Sequence, residues 1–234
     1  MIRSKIRSVA FLIVLIIAIA VVGVGAFVAY YVSQNNSSTA NKLDLFKSKV
    51  NEMISLAKNF YGGSWFALEN ETLYIINNGR NVYDIVYMNG TTIYINGTAT
   101  EITQKLFYDK QAFFPYTQSN ELPKAGILII LSNSTKYNGA LIMISGYYWN
   151  SVPNPAQEAY KQILNESISS FYGAKKGMRG NNIWIYLNSY DYGMYIEVGQ
   201  NEIVGISTIY VNSSSDQLQA FASKAEDLLR SLAS

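Results

Sequence analysis

Eight asparagines in this 234-residue chain, Asn35, Asn36, Asn70, Asn89, Asn96, Asn133, Asn165 and Asn212, stand two residues before a serine or threonine with no proline between. That spacing is the acceptor pattern for N-linked glycans, in which the asparagine amide carries the sugar. All eight follow the apolar N-terminal run, which favours selection for glycans over a plain amide-rich surface. Asn165 falls mid-helix in this reading, on the polar face with Lys161 and Ser169. The rest of the chemical inventory is defined by omission. The sequence holds no histidine and no cysteine, which removes Ser-His-Asp and Cys-His nucleophiles, the usual zinc sites and any disulfide framework. No catalytic residue, metal or cofactor is expected.

Four other patterns carry chemistry in principle. Ser55-Leu56-Ala57-Lys58 matches the S-x-x-K of penicillin-recognising enzymes, but it sits inside an amphipathic helix and the companion S-D-N and K-T-G motifs are missing. The pairs Glu69/Glu71 and Glu197/Glu202 could serve a surface hydrolase if two carboxylates faced one cleft; strand-edge carboxylates are the ordinary explanation. The basic, glycine-rich stretch Gly173–Gly180 could cradle a phosphate or an acidic glycan, and reads otherwise as a solvated connector. Tyr147-Tyr148-Trp149 and Tyr190-Asp191-Tyr192 could stack on sugars or pack into a sheet.

These residues need a scaffold and an address. From Val9 to Val32 there are 24 residues without charge or proline, more than the roughly 20 that cross a hydrocarbon core. Of the 18 Lys and Arg, only Arg3, Lys5 and Arg7 precede this run, leaving 15 against 16 Asp and Glu beyond it. The positive-inside rule places the N-terminus in the cytoplasm and the remainder outside. Residues 1–8 are then cytoplasmic, 9–32 form a transmembrane helix, 33–41 a polar stem, and 42–234 an extracytoplasmic α+β domain, with 42–112 and 140–234 as candidate sub-units. An uncut anchor is favoured; cleavage after Ala26 or after Ser8 are the alternatives. Arg7-Ser8 followed by the apolar run resembles the class III signals of archaeal pilins and some archaeal binding proteins. The near-neutral outer part has no basic run interleaved with aromatics, which argues against nucleic acid.

Past the stem, Leu43, Phe46, Val50, Met53, Ile54 and Ala57 recur at helical spacing, and Gly62-Gly63 ends that helix. Strands are predicted at 73–76, 83–88 and 91–95, with hairpin signals at Asn77-Asn78-Gly79 and Asn89-Gly90. A short helix around 101–108 and a hairpin at 127–131 and 140–145 follow. Asn154-Pro155 opens a second helix, and strands are predicted near 182–187, 194–198 and 203–211. Ser214 and Gln217 form a capping box for a last helix with Leu218, Phe221, Ala225, Leu228 and Leu232 on its apolar stripe. Asp216, Gln219, Ser223, Glu226, Asp227 and Arg230 fall on its other side.

The layout from Ala140 to the end resembles the PsbP/Mog1-type α/β sandwich, a family with varied binding and assembly roles. An internal likeness also appears. Phe46-Lys47…Asn51-Glu52 parallels Tyr160-Lys161…Asn165-Glu166, and Thr92-Ile93-Tyr94-Ile95-Asn96 parallels Thr208-Ile209-Tyr210-Val211-Asn212. It suggests two related α-β-β-β-α units on antiparallel sheet with flanking helices. Charged residues are only 15% of the chain and Tyr numbers 19; with dense sequons and no cysteine, the whole resembles membrane-anchored envelope proteins of heat- and acid-loving archaea. The expected role is a non-enzymatic, glycosylated surface protein that contacts lipid through residues 9–32 and takes an envelope protein or a glycan as partner. The alternatives are a pilin-like filament subunit and a carboxylate-dependent surface hydrolase.

Overall fold

The computed structural model describes residues 37–79, 82–97, 123–135, 139–151, 154–165, 174–189 and 191–234. Three helices, α1 (Ser37–Tyr61), α2 (Pro155–Asn165) and α3 (Ser215–Ala233), cover one antiparallel sheet. Its strands are β1 (Phe66–Ala67), β2 (Leu73–Asn77), β3 (Val82–Tyr87), β4 (Thr92–Asn96), β5 (Ala125–Ser132), β6 (Leu141–Tyr148), β7 (Lys175–Arg179), β8 (Asn182–Ser189), β9 (Tyr192–Val198) and β10 (Glu202–Ile209). They lie in the order β4-β3-β2-β5-β6-β10-β9-β8-β7, with β1 paired to β5.

This architecture corrects the fold read from the sequence. Two related α-β-β-β-α units behind a membrane helix are not what the structure shows: a single ten-stranded sheet runs through both halves, joined by the full-length β5–β6 pairing. The internal likeness also fails on position. Thr92–Asn96 is the edge strand β4, whereas Thr208 and Ile209 belong to β10, which pairs on both sides with β6 and β9. Nor does the stem reach as far as expected, since α1 opens at Ser37. Residues 9–32 and the helix expected at 101–108 lie outside the described residues; among those described, no helix is long and apolar enough to cross a membrane.

One face of the sheet is buried and the other is partly covered, so that buried and half-buried residues alternate along the central strands β6 and β10. On one face, Phe46, Val50, Met53 and Ala57 of α1 and Leu218, Phe221, Ala225, Leu228 and Leu229 of α3 pack over Ile129, Leu131, Ile142, Ile144, Val204 and Ile206. On the other, Ile163 and partly buried Ala159 and Tyr160 of α2 cover Ile183, Met194 and Ile196. The capping box is present: the Gln217 N–H donates to Ser214 Oγ at 3.2 Å and the Ser214 N–H to Gln217 Oε1 at 2.8 Å.

Close approach of α3 to the sheet depends on Gly146 of β6. A Cβ there would stand 2.7 Å from Leu229 Cδ1 and 3.2 Å from the Ile203 carbonyl oxygen. Gly146→Val should therefore lower stability by about 1–3 kcal/mol through overpacking, read as an earlier midpoint in urea; an unchanged midpoint would mean that α3 sits higher on the sheet than described.

The registers define two ends of the sheet. The turn before β2, the β3–β4 and β8–β9 turns and the β10–α3 link share one end, called here the Tyr210 end. The β2–β3, β7–β8 and β9–β10 connections share the other, the Asn182 end. Helix α3 runs from the Tyr210 end to the Asn182 end. Helix α1 runs the opposite way: Lys42 Nζ donates to the Leu232 carbonyl at 2.8 Å, and Tyr61 Oη donates to Ser213 Oγ at 2.9 Å. The chain therefore enters the domain at the Asn182 end.

Candidate functional site

Asn70, Asn89, Asn133 and Asn212 are all exposed, and all stand at the Tyr210 end. Their side chains are held by local turn chemistry. Asn89 Nδ2 donates to Asn70 Oδ1 at 2.9 Å, and Asn89 Oδ1 accepts from the Thr91 N–H at 2.8 Å. Asn133 Oδ1 accepts from the Ala140 N–H at 2.8 Å, and Asn212 Oδ1 from Asn188 Nδ2 at 2.9 Å. At Asn70, Asn133 and Asn212 these bonds engage the oxygen, the amide atom that an N-glycan does not use. Exposed Asn96 lies at the Asn182 end of β4, and Asn165 is the last residue of α2. Asn35 and Asn36 lie outside the described residues.

Beside Asn212, an open depression of about 610 Å³ is lined by Asn188, Ser189, Asp191, Tyr210 and Asn212. Tyr210 is 61% exposed and has φ of 56°, the one left-handed non-glycine residue among those described. A bulky side chain there costs roughly 1–2 kcal/mol. The surroundings impose it. The Tyr210 N–H donates to the Asp191 carbonyl at 2.8 Å, Thr208 Oγ1 to the Val211 carbonyl at 3.2 Å, and Tyr186 Oη to the Ser213 carbonyl at 2.6 Å. The sequence suggested a strand running on to Val211; β10 instead stops at Ile209 and the chain turns the Tyr210 ring outward.

A second cluster lies under α3 at the Asn182 end. Arg179 of β7 donates to Glu197 of β9 and to Glu226 of α3, at 2.8 and 2.6 Å from Nη2. Asn182 Nδ2 bonds the same two carboxylates at 3.0 and 3.2 Å, and Tyr195 Oη donates to Glu197 at 2.8 Å. Glu202 of β10 pairs with Arg230 of α3. Glu197, Glu202 and Glu226 are each buried. Burial raises the Glu226 pKa to about 7; Arg179 pulls against this, while Glu197 and Glu202 add to it. The placement of Glu226 on the exposed side of α3 is thus corrected. Glu197 and Glu202 do meet within one cluster, but their partners are arginines, and Glu197 and Glu226 are bridged by Arg179 and Asn182. Glu69 and Glu71 are exposed in the turn before β2.

Of the remaining candidates, Gly173 and Tyr190 lie outside the described residues. Residues 175–179 of the basic glycine-rich stretch form edge strand β7, not a loop. Lys176 Nζ donates to the Ile163 and Leu164 carbonyls near the end of α2, at 2.6 and 3.2 Å, and Arg179 joins the carboxylates. Tyr147 and Trp149 are buried against each other, with ring centroids 6.2 Å apart. Ser55 Oγ donates back to the Asn51 carbonyl at 2.9 Å. Among the described residues, no group of three acidic, His or Cys side chains is placed to hold a metal ion.

No protein-family model, curated protein or solved structure matches this chain. None of these comparisons supports the expected resemblance of the Ala140-to-end stretch to the PsbP/Mog1-type sandwich.

Proposed function

We propose that this chain is a non-enzymatic, glycosylated surface protein, attached to membrane lipid through residues 9–32, that binds or organises an envelope component with its Tyr210 end turned outward. The opposition of the two ends carries this reading. The chain enters at the Asn182 end, while four of the five exposed sequon asparagines described, Asn70, Asn89, Asn133 and Asn212, stand at the other and Asn96 alone stands at the entry end. Five Cα steps from Val32 to Ser37 span at most about 18 Å, which keeps the Asn182 end close to the lipid. Strands of the length of β5 put the two ends about 25 Å apart. A general taste of turns for asparagine would populate the turns of both ends with sequons. Asn78, Asn181 and Asn201 occupy turns at the Asn182 end, with Asn77 and Asn182 on the strand ends beside them, and none of the five begins a sequon.

With no native cysteine, single labels test the orientation cleanly. Exposed Asn181 and Glu69 lie at opposite ends, and neither belongs to a sequon. In the full chain reconstituted in vesicles, a fluorophore at Asn181→Cys should be quenched by headgroup-borne spin labels more strongly than one at Glu69→Cys. The reverse order would turn the domain over and remove the argument for an outward sugar-bearing end.

The opening of α1 at Ser37 favours a filament subunit as the second reading, because few residues then separate the apolar run from a helix laid on the sheet. A native N-terminus at Val9 and recovery in sheared high-mass fibres would select it over the uncut anchor.

A further inference from the structure

Among the described residues, two large aromatic side chains are exposed, Tyr210 at 61% and Tyr94 at 43%. Each stands two residues before a sequon asparagine, in Tyr94-Ile95-Asn96-Gly97-Thr98 and in Tyr210-Val211-Asn212-Ser213-Ser214. Core packing accounts for neither ring. On edge strand β4, Ile93 and Ile95 face the α2 side of the sheet, so alternation puts Tyr94 and Asn96 together on the opposite face, about 6.8 Å apart. At Tyr210 the backbone is left-handed rather than extended, yet Tyr210 and Asn212 still line one depression. Asn188 holds Asn212 by its oxygen, and the glycan-bearing atom is the nitrogen.

We propose that Tyr94 and Tyr210 are stacking platforms for the first sugars of glycans on Asn96 and Asn212, an inference that rests on the reading that these sequons are used. A pyranose presents several C–H bonds on one face, each slightly positive, and the face of a phenol ring is negative. Tyrosine offers that surface with few rotamers to immobilise. The outward turn at Tyr210 thereby acquires a purpose: it holds the ring in the depression into which an Asn212 glycan must grow. Tyr87 has the same spacing to Asn89 but is half-buried in the Tyr83–Ile85 cluster, so the pairing is limited to the two open rings.

The test uses the full-length glycoprotein from a host that glycosylates it. Glycopeptide mass spectrometry reads occupancy at Asn96 and Asn212. Thermal unfolding then compares Asn96→Gln in the wild-type and Tyr94→Ser backgrounds, and Asn212→Gln in the wild-type and Tyr210→Asn backgrounds. Loss of each glycan should lower Tm by about 2–4 °C when the ring is present and leave it unchanged when the ring is gone. Proton signals of the first sugar should move upfield over the ring and return in the tyrosine variants. Occupied sites with equal Tm losses in both backgrounds and unshifted sugar protons would overturn the stacking while leaving glycosylation intact. Unoccupied sites would overturn both.

Discussion

Leu228→Ala should lower the unfolding free energy by about 2–5 kcal/mol, the range for truncating a buried leucine where the cavity cannot collapse. Leu228 is fully buried on α3, in the same cluster as Phe221, Ala225 and Leu232 and the sheet residues Ile144 and Val204. Neighbouring Asp227 is exposed, and Asp227→Ala should change stability by less than about 0.5 kcal/mol. Urea titration of both variants at one pH makes the comparison. Equal midpoints would mean that α3 does not seal the sheet in solution, and its leucine stripe would then have to be a docking surface.

The second large effect is a loss of stability from acid toward neutral pH. Glu226 faces Arg179 of β7, Asn182 of β8, Glu197 of β9, Glu202 of β10 and Arg230 of its own helix. Burial lifts its pKa from 4.5 in the unfolded reference to about 7. The fold therefore binds this proton more tightly than the unfolded chain does. The stabilisation is complete below about pH 4.5 and disappears as the pH rises through about 7. At about 1.4 kcal/mol per pH unit this shift bounds the loss at roughly 3–4 kcal/mol, the opposing pull of Arg179 being already contained in it. Asp84, also buried and raised by desolvation, acts in the same direction. Half-buried Glu52, lowered by Lys224 and Lys49, acts in the opposite one. Wild-type Tm should fall between pH 4.5 and 8, and Glu226→Gln, which keeps an acceptor for Arg179, should flatten most of that fall. A wild-type protein that gains stability across this range would contradict the assignment. A maximum on the acid side would suit a chain whose exterior polarity comes from amides and hydroxyls.

The same cluster shows where local pattern misleads. A helix wheel assigns a glutamate to solvent because charge is costly inside, although Ala222, four residues before Glu226, and Leu229, three after it, are both buried beside it. Its partner Arg179 is 47 residues away, and comes from a stretch whose Lys-Lys-Gly-Met-Arg composition shows neither alternation nor an apolar run. That stretch is a strand because the β8 edge pairs with it and Gly177 lets Trp184 lie across it, neither of which is a property of those five residues.

What the sequence determined by itself is whatever short-range physics sets. Helical spacing marked most of α1 and α3, the capping box marked the start of α3, and Asn89-Gly90 marked the β3–β4 turn, since each depends on residues within a few positions of one another. The sequons are legible for the same reason. Only the tertiary structure decided that one sheet joins both halves, that Glu226 is buried among arginines, and that Tyr210 turns out of line beside Asn212. It also decided that Asn70, Asn89, Asn133 and Asn212, spread over more than half the chain, share the end opposite to where the chain arrives. Strand order and helix direction set those positions through contacts between residues far apart in sequence, and such pairings leave no period to read.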